Sequence, residues 1–119
     1  MDEAVLLRSV GHETVMRAQL AHLADMAALP NVELRILPLK GNNALGGVPS
    51  FTILSFDPIG GVPGGALGDV VSVESLTTQL QVEGDANTHI FRLFFDAISK
   101  AALSPAESRD LIVTIMARV

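Results

Sequence analysis

The segment VMRAQLAHLADMAALPNVELRILPL, Val15 to Leu39, decides the fold because its hydrophobic period changes at Pro30. Before that proline, apolar residues recur at spacings of three and four: Met16, Leu20, Leu23 and Ala27. This period is typical of a helix that buries one stripe. After the proline, apolar residues recur at a spacing of two: Val32, Leu34 and Ile36. That period is typical of a strand with one buried face.

The N-terminal flank of this segment predicts a strand and the start of the helix. Met1 to Arg8 contains four consecutive apolar residues and is predicted to be an opening strand. Glu13 suits the first turn of the following helix, where a negative charge is favoured. We expect this helix to end at about Leu29, because Pro30 stops it. The second strand then follows at Val32 to Leu39.

The C-terminal flank predicts three further strands and two loops. Phe51 to Phe56 is apolar on both faces, so we expect it at the centre of the sheet. Val70 to Glu74 and Thr78 to Val82 alternate apolar with polar residues. Lys40 to Pro49 is a polar loop that contains glycine. Asp57 to Gly68 holds five glycines and two prolines, which predicts a mobile loop or a lid over a cavity.

The last third of the chain predicts two helices. The first begins near Asp85, Asn87 or Thr88, and its apolar face includes Ile90, Phe91, Phe94, Phe95 and Ile98. Ser104 to Glu107 is a capping box with proline at the first helical position, which predicts the start of the second. We therefore predict a single α+β domain over residues 1–119. Its mostly antiparallel sheet has about four to five strands, one helix after strand 1, and two C-terminal helices packed on it.

Composition narrows the classes of function. The chain has 119 residues, of which 49% are hydrophobic, enough for one buried core. The absence of cysteine excludes disulfides and thiolate zinc sites. A net charge of -5 argues against direct contact with nucleic acid. The acidic start at Met1 to Glu3 predicts no signal peptide, and no apolar run approaches the roughly 20 residues that cross a membrane. We expect a cytoplasmic protein.

Residue types that carry chemistry form no recognised motif. His12, His22 and His89 belong to no metal-binding pattern, so we predict no metal and no cofactor. The glycine loop matches no phosphate-binding fingerprint, and no serine occupies a nucleophile elbow. Glu74 and Glu83 lie on or beside adjacent predicted strands, where paired carboxylates support acid–base catalysis. Such residues are more often part of a solvated face.

Six segments together are similar to a known family. They are DEAVLLRSVG at Asp2 to Gly11, VMRAQLAHL at Val15 to Leu23, LPNVELRILPL at Leu29 to Leu39, FTILSF at Phe51 to Phe56, VVSVE at Val70 to Glu74 and ALSPAESRDLI at Ala102 to Ile112. The chain resembles the antitoxin-like domain of unknown function that follows an Xre-type helix-turn-helix in many actinobacterial regulators. This resemblance implies a sensor or partner-binding role. The helix-turn-helix has no counterpart here, so the resemblance implies no DNA contact by this chain.

The sequence departs from that family in two strands. Where the family usually has tyrosines, this chain has Ser72 and Gln81. Smaller side chains there open space between sheet and helices, so we predict ligand-binding residues at Ser72, Gln79 and Gln81. The aromatic residues of the following helix span a broader arc than one stripe needs: Phe91, Phe94 and Phe95. Part of that arc lines the cavity or faces a second copy of the chain.

Two functions are compatible with these observations. The favoured one is a ligand- or partner-binding domain that takes a small apolar molecule or a small partner protein and forms a homodimer. The alternative is a stand-alone biosynthetic enzyme, a cyclase or isomerase that shapes an apolar substrate by positioning and hydrogen-bond donors. For the enzyme, Glu74 and Gln81 are the catalytic candidates and the loop from Asp57 to Gly68 is its lid.

Overall fold

A computed structural model describes residues 1–41, 49–56 and 68–119. These residues form α1 (Glu3–Leu7), α2 (Glu13–Ala27), β1 (Phe51–Leu54), β2 (Val70–Glu74), β3 (Gln79–Val82), α3 (Asp85–Ala101) and α4 (Pro105–Arg118). The α+β class is confirmed. Over the described residues the antiparallel sheet has three strands, slightly fewer than the four to five expected. Residues 57–67 of the predicted lid and residues 42–48 of the preceding loop lie outside the described residues.

The chain divides into two compact units. Met1–Gly46 together with Ile98–Val119 is called the helical unit, and Gly47–Ala97 is called the sheet unit. The prediction of one domain over residues 1–119 stays a prediction.

A hydrophobic core from separate stretches of the chain holds the helical unit together: Leu6, Leu20, Ala24, Ile36, Ile112 and Ile115. The predicted stripe of α2 is confirmed, since Leu20 is buried while Met16 and Leu23 pack against the core. α2 ends at Ala27, two residues before the expected end. Helix packing in this unit therefore follows the period of three and four in the sequence.

The predicted opening strand, Met1 to Arg8, is wrong, because Glu3–Leu7 is the helix α1. The Asp2 carboxylate accepts a hydrogen bond from the Ala4 N–H at 2.8 Å and so caps the helix. Glu3 occupies the first turn, where a negative charge is favoured. The Asp-Glu start therefore indicates a helix, and the apolar run that follows it concealed this signal.

The predicted strand Val32 to Leu39 is also wrong, although Ile36 is buried as its pattern requires. Among the described residues, the β-type pairing of this segment is limited to one parallel bridge, between Leu37 and Asp2. Further hydrogen bonds come from Met1 and Glu3 at the N-terminus and from residues at the start of α4. At the start of α4, the Leu103 N–H donates to the Ile36 carbonyl at 2.9 Å, and the Ile36 N–H donates to the Ser108 Oγ at 2.9 Å. The apolar–polar alternation of the segment correctly predicted that Ile36 is buried. The hydrogen bonds of its main chain depend on residues that are distant in the sequence.

The sheet unit contains the antiparallel order β1-β2-β3. β2 coincides with the predicted strand Val70 to Glu74, and β3 begins one residue after the expected Thr78. Phe51 to Phe56 was expected at the centre, which is wrong, since β1 is an edge strand of the described sheet. The outward residues Leu54 and Phe56 remain exposed on this edge. The apolar character of Leu54 and Phe56 therefore does not indicate a second buried face in the described sheet.

The ends of the C-terminal helices follow local sequence signals. The Ser104 Oγ accepts from the Glu107 N–H at 3.1 Å, and the Ser104 N–H donates to the Glu107 carboxylate at 3.2 Å. This reciprocal pair confirms the predicted capping box. α3 begins at Asp85, the first of the three predicted starts. Over the described residues, no helix combines the length and the apolar character needed to span a membrane.

Candidate functional site

The strand register places the predicted polar site residues on one face of the sheet. Ser72 lies opposite Gln81, and Glu74 lies opposite Gln79. Because side chains alternate between the two faces along a strand, all four share a face. The Gln79 Nε2 donates to the Ser72 Oγ at 3.1 Å, and the Gln81 Nε2 donates to the Glu83 carboxylate at 3.0 Å. The structure therefore brings the polar set together, as an exposed hydrogen-bonded patch.

Two of the three predicted aromatic residues, Phe91 and Phe94, lie on the other face of the sheet. Phe51 pairs with Val73, whose side chain alternates with that of Ser72. The Phe51 ring contacts the rings of Phe91 and Phe94, with centroids 5.5 and 6.4 Å apart. Phe95 is 49% exposed. Ser72 and the Phe51–Phe91 contact thus lie on different faces of the described sheet, and the assignment of both sets to a ligand site stays a prediction.

The catalytic candidates, Glu74 and Gln81, both lie on the exposed polar face. Catalytic acids and bases usually work in sites where burial sets their protonation state. The structure places neither residue in such surroundings among the described residues. Their catalytic role stays a prediction.

The sheet unit contains a charged network that the sequence did not indicate. An Asp69 carboxylate oxygen accepts from the Ser55 hydroxyl at 2.8 Å, and the other accepts from the Arg92 guanidinium at 2.8 Å. Arg92 also donates to the Ser55 Oγ at 2.6 Å. Hydrogen bonds from Arg92, and then from Ser55, hold the pKa of Asp69 below its ordinary value. A carboxylate kept ionised in this way positions α3 on the sheet, and it is poorly suited to proton transfer.

No local pattern marks this network, because its members come from distant parts of the sequence. Ser55 follows β1, Asp69 precedes β2, and Arg92 lies on α3. A carboxylate, a hydroxyl and a guanidinium are ordinary surface residue types. Only the tertiary structure brings them within hydrogen-bonding distance.

The helical unit contains a pocket of about 320 Å³ that the sequence analysis missed. Its apolar lining comes from α1, α2, α4 and the last residue of the chain as given: Leu6, Leu7, Met16, Ile115 and Val119. The volume lies at the lower end of the range of roughly 300–1,000 Å³ that is typical of small-molecule sites. No contiguous motif could have revealed this pocket, because its walls lie more than a hundred positions apart in the sequence.

Two charged side chains also line the pocket, Glu13 from the first turn of α2 and Arg118 from the last turn of α4. Neither makes an ion pair or a side-chain hydrogen bond in the described part of the chain. Gly11, which lies in the lining between α1 and α2, has a φ of 72°, a conformation that favours glycine. The pocket therefore offers apolar walls together with two charged side chains that are unpaired within the part of the chain that the structure describes.

The histidines take no part in either site. His12, His22 and His89 are exposed. Over residues 1–41, 49–56 and 68–119, no group of three or more metal-ligating side chains could hold a metal ion.

Comparison with known proteins gives a family and no characterised relative. No curated protein and no solved structure matches the chain significantly. The family model described as "Domain of unknown function (DUF5753)" matches residues 1–114. That match includes most of both units and six of the nine residues that line the pocket; Ile115, Arg118 and Val119 lie beyond it. The chain therefore belongs to the DUF5753 family.

Proposed function

We propose that this chain is the ligand-binding domain of a transcriptional regulator and that the pocket of the helical unit is its ligand site. The single observation that carries the proposal is the pocket itself, with apolar walls and two charged side chains that have no ion-pair or hydrogen-bond partner among the described residues. Burial of apolar surface supplies binding energy, while Glu13 and Arg118 orient the polar end of a ligand. The regulator context rests on the resemblance of the sequence to domains that follow an Xre-type helix-turn-helix.

The ligand proposed is a small apolar molecule with one polar end. A pocket of about 320 Å³ suits a compact molecule better than a folded partner protein, which needs a larger and flatter surface. The chain does not itself read DNA under this proposal, because its net charge is -5.

The alternative function, a cyclase or isomerase, has less support. Ser72 and Gln81 lie on the sheet face opposite the Phe51–Phe91 contact, so the polar and aromatic candidates do not surround one substrate. The ionised Asp69 is held by Arg92 and Ser55. The binding function needs none of these residues to take part in proton transfer.

Octanoate and octanol test the proposal, because the two probes share an apolar chain and differ in charge. Isothermal titration calorimetry is expected to show one site for each probe, with octanoate bound more tightly through Arg118. Arg118→Gln should remove this preference, which we expect to be at most about fivefold for an exposed ion pair. Arg109→Gln, on the exposed surface of the same helix outside the pocket, is the matched control and should retain the preference.

A bulky side chain introduced into the pocket tests whether the probes bind there or elsewhere on the surface. Ser9 lines the pocket and its neighbour Val10 does not. Ser9→Phe should abolish binding of both probes, whereas Val10→Phe should leave it intact. Binding that survives Ser9→Phe would place the site elsewhere. If the unmodified protein binds neither probe, the proposed ligand class is wrong.

A further inference from the structure

The outer edge of β3 is open in the described structure. β3 is an edge strand whose neighbour in the sheet is β2. Gln79, Leu80 and Gln81 are all exposed, and Leu80 retains 57% of its accessible surface. Among the described residues, no main-chain hydrogen bond reaches β3 from the side opposite β2. An unpaired edge of this kind is a template for the addition of another strand.

No charge protects this edge. The segment from Ser75 to Val82, SLTTQLQV, contains neither a charged residue nor a proline. Proteins usually protect open edges with lysine, with proline or with charges that point inward. The turn at its start carries Leu76, which is fully exposed. The other edge strand, β1, follows Pro49, a residue of the kind that blocks strand addition.

Hydrogen-bond directions determine which residues can pair across the edge. The Ser75 N–H donates to the Thr78 carbonyl at 2.7 Å, which closes the turn between β2 and β3. Hydrogen-bonded and non-hydrogen-bonded pairs alternate along an antiparallel ladder, so Leu80 is the next residue bonded to β2. The main-chain groups of Gln79 and Gln81 therefore point toward the open edge.

We propose that two copies of this chain dimerise by antiparallel pairing of β3 with β3, with the two-fold axis at Leu80. In this register Gln79 of each copy pairs with Gln81 of the other, and each pair exchanges both of its N–H···O bonds. Leu80 then faces Leu80 of the second copy in a non-hydrogen-bonded pair, where side chains approach most closely. Every outward main-chain group of the strand centre is satisfied.

The occupant is a second copy of this chain because the edge is complementary to itself. The residues that point outward on one copy meet residues of the same type on the other, as a two-fold interface requires. The segment is uncharged, so pairing with itself brings no like charges together. The proposed interface contains no residue of the pocket, so a test of dimerisation does not depend on the proposed function.

A disulfide trap tests the register directly, since the chain contains no cysteine. Leu80→Cys places two thiols opposite each other at a Cα separation of about 4.5 Å, within the range of about 4.4–6.8 Å that a disulfide spans. Mild oxidation at micromolar protein concentration should give a covalent dimer on a non-reducing gel. Leu76→Cys, on the turn of the same hairpin, is the matched control and should give little. Equal cross-linking of the two variants would overturn the register.

Charge substitutions test the interface without cross-linking. Leu80→Lys and Leu80→Glu should each convert the dimer to a monomer in multi-angle light scattering, and an equal mixture of the two should restore the dimer. Leu76→Lys should remain dimeric, and circular dichroism should show that every variant is folded, because both positions are exposed. A monomeric unmodified protein at micromolar concentration, or a dimer that persists in both Leu80 variants, would overturn the proposal.

Discussion

Six buried apolar residues from distant stretches of the chain form the core of the helical unit, whereas Val71 is the buried apolar residue of the described sheet unit. The sheet unit has instead two ladders of main-chain hydrogen bonds and the network of Ser55, Asp69 and Arg92. Several of its large apolar side chains stay exposed, among them Leu80, Ile90 and Leu93.

This difference shows that the helical unit is stabilised mainly by buried apolar packing, whereas the sheet unit leaves more of its apolar surface exposed. In the helical unit the helices bury their apolar stripes and leave a pocket beside the core. In the sheet unit, apolar surface remains available to solvent or to a second copy. The two units therefore present different kinds of surface, a concave pocket in one and, among the described residues, an open strand edge in the other.

The largest expected effect comes from the same substitution made in each unit. Ile112→Ala should lower the unfolding free energy by about 2–5 kcal/mol, because Ile112 has no accessible surface and its truncation leaves a cavity. Ile90→Ala, at a site 67% exposed, should cost less than about 0.5 kcal/mol. Urea unfolding followed by far-UV circular dichroism measures both, since the chain lacks tryptophan and tyrosine. Equal costs would contradict the comparison.

A smaller effect is expected at the buried hydroxyl of the helical unit. Ser108→Ala leaves the buried Ile36 N–H without its acceptor, which should cost about 1–3 kcal/mol of unfolding free energy. Ser99→Ala is the control, since the Ser99 hydroxyl has no hydrogen-bond partner in the described structure. If the two variants are equally stable in urea, the segment from Val32 to Leu39 is held by other contacts.

The smallest effect is expected at the network of the sheet unit. Arg92→Gln should raise the pKa of Asp69 toward its ordinary value of 3.8, because the guanidinium that favours the ionised form is removed. Carbon-13 NMR titration of the carboxyl groups measures this shift. Lys100→Gln, on the same helix, serves as the control and should leave the Asp69 titration unchanged.

The sign of the pH dependence follows from that shift. Because the folded-state pKa of Asp69 is lowered, its contribution to stability is fully present above the pKa of the unfolded chain. It is lost as the pH falls through the folded-state pKa. The unmodified protein should therefore lose more stability than Arg92→Gln as acid is added, by a small amount, since both side chains are partly exposed. An identical acid dependence would show that the ion pair contributes nothing.

Local signals in the sequence were sufficient for several elements. The stripe of α2, the strand at Val70 to Glu74 and the capping box at Ser104 each depend on neighbours within a few residues, and each is confirmed. Met1 to Arg8 failed because an apolar run of four residues fits a strand and a one-turn helix equally well. The cap at Asp2 is what distinguishes the two.

Contacts between distant residues decided the rest. The alternation in Val32 to Leu39 predicted the burial of Ile36, yet the main-chain groups of Ile36 bond to Ser108 and Leu103 and not to a neighbouring strand. Pairing between distant segments leaves no trace in the period of either one, so a strand pattern does not reveal which backbone it will meet. The same limit applies to the pocket, whose lining extends from Leu6 to Val119.

The sequence by itself determined the α+β class, the amphipathic helix α2 that ends shortly before Pro30, and the positions of β2, β3 and the two C-terminal helices. Those features follow from hydrophobic period and capping, which act over one or two turns of chain. The tertiary structure alone decided that the segment after Pro30 packs on α4, that Ser72 and Phe91 are associated with opposite faces of the sheet, and that a pocket forms beside Arg118. Those features depend on which distant residues meet, and the packing of the whole unit selects those partners.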